Sequence, residues 1–354
     1  MTKPFVSVLI DTYNHERFIE KAIASVLEQD FPASEREIIV VDDGSTDRTP
    51  EIVRRFEPHV RLLRKANGGQ ASAFNVGIPE CCGEVVSFLD GDDWWVREKL
   101  SRVIPVLAGN QEIGMVGHGT ITVLPDGKEF TEVLREGHRF SLKSLEGARM
   151  FRRRKNFLGT RTTIRSSILR RLLFVPETIR IEADEFVFTM AAALGEVQIL
   201  DEALFFYRLH VNNFYSQHGF QEASVRKKHE SIAELARCLS ERLESMGTNA
   251  EVRHTVVDSI QVEADQLRLS ADGGAPWETV RTELAMYRML HSDASWTHQA
   301  FKYAALLPAY FVSPRLYYRV RRRLAGSESY VRARKVFFRV PQPGHVERVW
   351  KGGT

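Results

Sequence analysis

The first quarter of the chain alternates between short runs of consecutive apolar residues and stretches in which apolar residues recur at helical spacing. The apolar runs cover residues 5–10, 38–41 and 85–89, and such runs are typical of strands that are covered on both faces. One buried helical face between the first two runs is predicted by the spacing of Ile19, Ala22, Ile23, Val26 and Leu27. The alternation indicates βαβ units, so the sequence predicts an α/β fold with a mostly parallel sheet and flanking helices.

Polar residues follow each of these predicted strands directly. Thr12, Tyr13 and Asn14 follow the first strand, Asp42 and Asp43 follow the second, and an acidic cluster follows the third. Asn14 is also a candidate N-cap for the next helix, because its side chain can accept a hydrogen bond from a free backbone N–H. Ligands of parallel sheets bind outside the carboxyl ends of the strands, so these polar groups are expected along one edge.

The acidic cluster consists of Asp90, Asp92 and Asp93, three carboxylates within four residues. Like charges this close resist ionising together, and a divalent cation that prefers oxygen ligands, such as Mg²⁺ or Mn²⁺, would neutralise them. A calcium-binding EF-hand loop is excluded, because Trp94 and Trp95 stand where a ligand and the required glycine belong. Taken alone, the motif also fits a solvated acidic turn before a helix.

The predicted elements change along the rest of the chain. A hairpin is predicted at residues 125–127, strands at 160–164 and 198–207, and a buried helix at Ala183–Leu194. Helical patterns cover residues 222–246 and 251–269, and residues 273–276 indicate a break between helices. Three units are therefore predicted: a first domain over residues 1–215, a helical extension over 216–295 and a C-terminal segment over 296–354.

Composition narrows the functional classes. The 354 residues are 43% hydrophobic and 27% charged, which is ordinary for a soluble globular protein. The three cysteines match neither a disulfide framework nor a zinc site, so a reducing cytoplasm is predicted. No apolar run is long enough to suggest a membrane span. The chain also lacks a P-loop and a complete dinucleotide-binding glycine motif, which argues against a dehydrogenase.

Three motifs resemble, in order and in spacing, the signatures of family 2 glycosyltransferases. They are VSVLIDTYN at residues 6–14, VVDDGSTD at residues 40–47 and FLDGDDW at residues 88–94. The resemblance covers residues 4–215 and implies a GT-A nucleotide-sugar fold. It also implies inverting transfer from a nucleoside diphosphate sugar, with a UDP-sugar expected, to a hydroxyl of a glycan or lipid-linked acceptor. Cell-surface polysaccharide or glycolipid synthesis is the usual context of such enzymes.

The resemblance assigns roles to individual residues. Those implied in binding the donor nucleotide sugar are Thr12, Tyr13, Glu16, Asp42, Asp43, Asn67, Gly69, Asp90, Asp92 and Arg208. Those implied in holding Mn²⁺ or Mg²⁺ are Asp92, Asp93 and His210, since the departing diphosphate needs positive charge beside it. Asp184 matches the family's general base, which accepts the proton of the attacking hydroxyl. Glu182 and Glu185 are also candidates, and a helix-capping acidic cluster is the structural alternative.

Two other functions stay open. Ala183 stands where the family usually has glutamate, so a catalytically inactive nucleotide-sugar-binding or scaffold protein is one alternative. A sugar nucleotidyltransferase would share the fold and the acidic site. It would normally open with a glycine-rich, basic loop after the first strand, whereas this chain has Asp11-Thr12-Tyr13-Asn14 there.

The C-terminal segment concentrates basic and aromatic residues. Nine basic residues and a single glutamate lie between Ser313 and Arg339, whereas the whole chain carries a net charge of only +3. Such a mixture suits contact with anionic lipid, so peripheral attachment at the inner face of the cell membrane is predicted. Nucleic-acid binding is disfavoured, because no recognised binding module accompanies the arginines. A solvated helical face is the structural alternative.

Overall fold

The computed structural model describes residues 5–172, 174–210, 222–290, 296–325 and 346–351. One sheet contains the strands β1 (Val6–Thr12), β2 (Arg36–Asp42), β3 (Arg61–Arg64), β4 (Val85–Asp90), β5 (Trp94–Trp95), β6 (Ile113–Val123), β7 (Glu129–Leu134), β8 (His138–Phe140), β9 (Thr163–Arg165), β10 (Glu196–Arg208) and β11 (Val346–Lys351). The helices are α1 (Ile19–Leu27), α2 (Thr49–Arg54), α3 (Gln70–Glu80), α4 (Lys99–Gly109), α5 (Leu145–Arg154), α6 (Ser166–Leu172), α7 (Ala183–Leu194), α8 (Glu222–Ser245), α9 (Ala250–Ala271), α10 (Pro276–Leu290), α11 (Trp296–Leu306) and α12 (Pro314–Ala325). Short 3₁₀ helices lie at Ala33–Glu35, Lys155–Phe157 and Leu307–Tyr310.

The first four strands form a parallel unit in the order β3-β2-β1-β4. The register places Thr12 beside Asp42 and Asp11 beside Asp90, so the carboxyl ends of β1, β2 and β4 meet at one edge. The prediction of βαβ units with polar residues on a shared edge is confirmed. The α/β fold class with flanking helices is confirmed as well.

The remainder of the sheet is mixed rather than parallel. Strand β9 pairs antiparallel with both β4 and β6, and the predicted hairpin joins β6 to β7. Strand β10 runs parallel to β6, and β11 adds to the far edge of β7. The parallel pairing predicted for the sheet therefore describes β1–β4, whereas antiparallel pairs predominate among the later strands.

The core has two parts, one on each face of the sheet, because successive side chains of a strand point to opposite faces. Ile10 packs with residues of α1 and α4 on one face, and Leu9 packs with residues of α3 and α7 on the other. Ile232 of α8 and Val256 of α9 belong to the same buried cluster as Leu9. The helices after residue 222 thus share a core with the sheet.

The predicted N-cap at Asn14 is wrong. Helix α1 begins at Ile19, and Phe18 precedes it without a side-chain cap. Asn14 instead has a positive φ of 55°, and its side-chain oxygen accepts a hydrogen bond from the backbone N–H of Thr46 at 2.8 Å. Asn14 therefore joins the loop after β1 to the loop after β2. Its backbone can adopt the left-handed region because asparagine tolerates that region better than most residues.

Across the described part of the chain, no helix combines the length and the apolar character that crossing a bilayer requires. The predicted helix over Ala183–Leu194 is confirmed at both ends. Helix α10 begins at Pro276, the last residue of the predicted break.

Candidate active site

The acidic turn after β4 brings three carboxylates together. The ligand oxygens of Asp90, Asp92 and Asp93 all lie within 4.8 Å of one another. The backbone N–H of Gly91 donates to the carbonyl oxygen of Asp11 at 2.9 Å, which draws the turn onto the end of β1. A Cβ at Gly91 would lie 2.5 Å from Oγ1 of Thr12, so only glycine fits this close approach.

Each of the three carboxylates is oriented by a different part of the fold. Thr160 donates its hydroxyl hydrogen to Asp90 at 2.6 Å, and the backbone N–H of Arg208 donates to Asp93 at 2.8 Å. Nε2 of His210 lies 2.9 Å from Oδ2 of Asp92. The loop before β9 and the end of β10 therefore hold the acidic turn from two sides.

The electrostatics of the cluster favour a bound cation. Burial, followed by repulsion from neighbouring aspartates, raises the pKa of both Asp90 and Asp93 well above the ordinary range. Burial also opposes ionisation of Asp92, but the hydrogen bond with His210 and the nearby His15 lower its pKa overall. Clustered oxygen donors that repel one another in this way suit a hard divalent cation.

Asp11 is a further acidic residue of this site that the sequence analysis did not single out. Oδ1 of Asp11 is buried without a hydrogen-bond partner among the described residues. Burial, followed by repulsion from Asp184, raises the pKa of Asp11 to about 7. Its position at the carboxyl end of β1, equivalent to that of Asp90 on β4, was the available sequence signal.

Asp184 lies in the first turn of α7 and reaches the same edge of the sheet. Its backbone N–H donates to Oε1 of Gln70 at 3.4 Å, and Nε2 of Gln70 donates to Asp90 at 3.3 Å. Gln70 therefore joins Asp184 to the acidic turn. Burial, followed by repulsion from Asp90 and then from Glu182 and Glu185, raises the pKa of Asp184 to about 8.

Glu182 and Glu185, the other predicted base candidates, form ion pairs. Glu182 lies 2.9 Å from the Nζ of Lys228 on α8, and Glu185 lies 2.6 Å from the Nζ of Lys155. Among the described residues, Asp184 makes no such pair with a lysine or arginine. Of the three carboxylates, Asp184 is thus the one that no described lysine or arginine neutralises.

Two of the predicted donor-binding residues make polar contacts at the edge of the sheet. Oε2 of Glu16 accepts from the backbone N–H of Arg48 at 3.1 Å, and Oγ1 of Thr12 lies 3.2 Å from Nδ1 of His15. Tyr13, between them, is 43% exposed and presents its ring to solvent. His15 is a site neighbour that the sequence analysis missed, and burial lowers its pKa.

The side chains of Asp42 and Asp43 are engaged within the protein. Asp42 is fully buried and accepts from Nε of Arg64 at 2.8 Å. Asp43 accepts from Nζ of Lys65 at 2.6 Å and from the backbone N–H of Gly69 at 2.7 Å. Both carboxylates therefore shape the connection between β3 and α3. The predicted site residue Asn67 belongs to this connection and donates to the carbonyl oxygen of Asp43 at 3.1 Å.

Arg208 is held between two aromatic rings. Its guanidinium carbon lies 4.9 Å from the ring centre of Phe18 and 4.5 Å from that of Trp94. Its Nε donates to the carbonyl oxygen of Asp92 at 2.9 Å. Trp94 is itself buried and stacks on Phe206 with ring centres 4.8 Å apart. The positively charged guanidinium of Arg208 is thereby held against the acidic turn.

Comparisons with known proteins agree with this geometry. The model of "Glycosyl transferase family 2" matches residues 7–172. A protein of Nostoc sp. named as an uncharacterized glycosyltransferase, alr2836, is 31% identical over 256 residues, which are 70% of this chain and 78% of that protein. Several other curated relatives are matched over a smaller share of their own length, from 17% to 62%.

Two solved structures share the fold. The crystal structure of Staphylococcus aureus TarS in complex with UDP-GlcNAc matches with a TM-score of 0.57 and 22% identity, over 80% of this chain and 79% of that chain. TarS is named a poly(ribitol-phosphate) β-N-acetylglucosaminyltransferase, and it is 40% identical over 98 residues, 27% of this chain and 17% of TarS. The mannosyltransferase PcManGT of Pyrobaculum calidifontis, in complex with GDP-Man and Mn²⁺, matches with a TM-score of 0.52 and 20% identity, over 95% of this chain and 87% of that chain.

Proposed function

The chain belongs to glycosyltransferase family 2, and we propose that it transfers a sugar, with inversion, from a nucleoside diphosphate sugar to a hydroxyl of an acceptor. The observation that carries this proposal is the meeting of Asp184 with the acidic turn of Asp90, Asp92 and Asp93 at one edge of the sheet. A direct displacement needs a base beside a cation site. The base accepts the proton of the attacking hydroxyl, and the cation stabilises the leaving diphosphate.

The residues of the acidic turn fit a divalent cation, Mn²⁺ or Mg²⁺. Asp92 and Asp93 would hold it, His210 would complete or orient the ligand set, and Asp90 would contact the donor or the metal's water. A cation bound there supplies positive charge for the departing diphosphate. Arg208, fixed between Phe18 and Trp94, would place a second positive charge near the same group.

Asp184 is the proposed general base. It has no ion-pair partner among the described residues, unlike Glu182 and Glu185, and its raised pKa makes it a stronger base than an ordinary aspartate once it is ionised. This arrangement favours an active enzyme over the inactive binding protein that Ala183 had left open. Ala183, which stands where the family usually has glutamate, does not remove the proposed base Asp184.

A UDP-sugar is the proposed donor. Thr12, Tyr13 and Glu16 would line the nucleoside pocket. Asp42 and Asp43 would act from beneath it, by holding the connection that carries Asn67 and Gly69. The TarS name and its UDP-GlcNAc complex support UDP-N-acetylglucosamine as the first donor to test. The GDP-Man complex of PcManGT makes GDP-mannose the matched comparison.

The proposed acceptor is a glycan or a lipid-linked sugar of cell-surface polysaccharide or glycolipid synthesis, made at the inner face of the cell membrane. The basic C-terminal segment supports this location. Its residues Arg332, Arg334, Lys335 and Arg339, with Phe337 and Phe338, lie outside the described residues.

Release of the nucleoside diphosphate tests the proposal. The full chain is incubated with UDP-N-acetylglucosamine, other UDP-sugars or GDP-mannose, with Mn²⁺ or with EDTA, and free nucleoside diphosphate is measured. Slow, Mn²⁺-dependent hydrolysis of one donor is expected, because water replaces the acceptor. Metal-dependent thermal stabilisation by a donor without any release would support the inactive binding protein instead. The absence of both nucleotide release and thermal stabilisation, with every donor tested, would overturn the proposal.

A further inference from the structure

Large apolar side chains are exposed together near the C-terminal end of the described chain. Phe311 is 86% exposed and Leu307 is 57% exposed, and Tyr310, Leu316 and Val320 are exposed as well. We call these five residues the C-terminal apolar patch. They fall within fourteen residues of sequence, and only the short link of residues 311–313 separates the 3₁₀ helix Leu307–Tyr310 from α12. Several large apolar side chains exposed within so short a segment mark an interaction surface.

Helix α12 carries the last two residues of the patch, Leu316 and Val320, on the face that points away from the protein. Tyr318 is buried, and Arg321 on the same side pairs with Glu283 of α10. Leu316 and Val320 are four residues apart, so they share a stripe on the opposite, exposed face. One face of the helix is therefore fixed to the protein body, whereas the other carries apolar side chains into solvent.

The segment that carries α12 contributes only positive charge. Residues 313–325 contain five arginines and no acidic residue. Arg319 is exposed one residue before Val320 and forms no ion pair with another described residue. An amphipathic surface with arginines beside apolar side chains matches the boundary of a bilayer, where anionic headgroups lie above the acyl chains.

We propose that the C-terminal apolar patch docks the protein on an anionic lipid bilayer, with Phe311 and Leu307 entering the interface and Arg319 contacting headgroups. A second copy of the chain is a poorer occupant. A two-fold contact would bring the same basic face of α12 against itself, and like charges would repel. The proposal rests on the membrane location given in the proposed function but not on catalysis, so vesicle binding tests it separately from sugar transfer.

Vesicle co-sedimentation of the full chain tests this proposal. Vesicles of phosphatidylcholine with phosphatidylglycerol are compared with vesicles of phosphatidylcholine alone. The key variant is F311S, and its matched control is F174S, since Phe174 is also an exposed phenylalanine, 56% exposed, but lies between α6 and α7. F311S is expected to lower the partition coefficient on anionic vesicles by about tenfold, whereas F174S leaves it unchanged.

Charge reversal and self-association provide the remaining tests. R319E is expected to lower binding to anionic vesicles by about fivefold, and phosphatidylcholine vesicles are expected to bind weakly. Equal binding by F311S and F174S would overturn the proposal. So would a wild-type dimer in analytical ultracentrifugation that F311S dissociates, combined with no vesicle binding, because the patch would then serve a second copy.

Discussion

Nε2 of His210 lies 2.9 Å from Oδ2 of Asp92, and this contact joins the end of β10 to the acidic turn after β4. His210 also packs on Phe18, with ring centres 4.5 Å apart, which fixes the imidazole plane. The two residues are 118 positions apart in sequence, so the contact exists only because β10 returns beside the turn. It helps to keep Asp92 ionised while burial raises the pKa of both neighbouring aspartates.

The first prediction concerns this histidine. H210A is expected to weaken Mn²⁺ binding by about tenfold or more, because His210 either ligates the cation or orients Asp92. Mn²⁺ affinity is measured by calorimetry in the presence of UDP. H59A is the control, since His59 is exposed and lies before the amino end of β3, at the opposite edge of the parallel strands. Equal affinities of the two variants would contradict the prediction.

The second prediction separates the candidate bases. D184N is expected to lower kcat by about 10²–10⁴-fold, because the attacking hydroxyl loses its proton acceptor. Donor binding, measured as thermal stabilisation by donor with Mn²⁺, is expected to persist. E185Q is the comparison. Glu185 pairs with Lys155 at 2.6 Å, so this substitution is expected to affect stability more than turnover. A D184N variant of near wild-type activity would exclude this base.

The edge of the sheet could be predicted from the sequence, because it depends on local patterns. Apolar runs located β1, β2 and β4, and the parallel geometry then required Thr12, Asp42 and Asp90 to lie at one end. The ion pairs of Glu182 and Glu185 could not be predicted in this way. They involve Lys228 and Lys155, which only the packing of α7 against α8 and against the segment after α5 brings near.

The residues that were missed share a physical reason. Thr160 and Gln70 are ordinary polar residues in sequence, and each becomes part of the site through a hydrogen bond to Asp90, 70 and 20 positions away. Asp11 was missed for another reason: it directly follows an apolar run and has no acidic neighbour in sequence. Its proximity to Asp184 depends on where α7 begins, which no periodicity in β1 indicates.

The third prediction concerns the space beside the proposed base. A Cβ at Gly159 would lie 2.9 Å from Oδ2 of Asp184, and Gly159 has a φ of +95°. G159A is expected to displace the carboxylate and lower kcat by up to about 100-fold. G127A is the matched control, because Gly127 has a φ of +82° and nothing within 4 Å of the added Cβ. Both variants carry the same kind of backbone strain, so a loss of activity shared by both would contradict the specific role of Gly159.

The fourth prediction follows from the pKa values of Asp11, about 7, and Asp184, about 8, both raised from an ordinary value of 3.8. Between about pH 4 and pH 8 the unfolded chain has released both protons, whereas the folded protein retains that of Asp11 up to about pH 7 and that of Asp184 up to about pH 8. The unfolded state therefore binds fewer protons, and the free energy of unfolding is expected to fall as the pH rises through this window. Above about pH 8 both carboxyl groups are ionised in the folded and the unfolded state, so the free energy of unfolding stays at its lowered value.

Thermal unfolding of the D11N variant measures this effect. In EDTA, the wild-type Tm is expected to fall from pH 5 to pH 8, and D11N, which removes one of the two charges, is expected to fall less and to unfold at a Tm at least about 2 °C higher at pH 8. Mn²⁺ with UDP is expected to flatten the wild-type curve, because a cation lowers the pKa of the carboxylates around it. Parallel curves for the two proteins in EDTA would show that Asp11 ionises at its ordinary pH, and the repulsion between Asp11 and Asp184 would then be absent in solution.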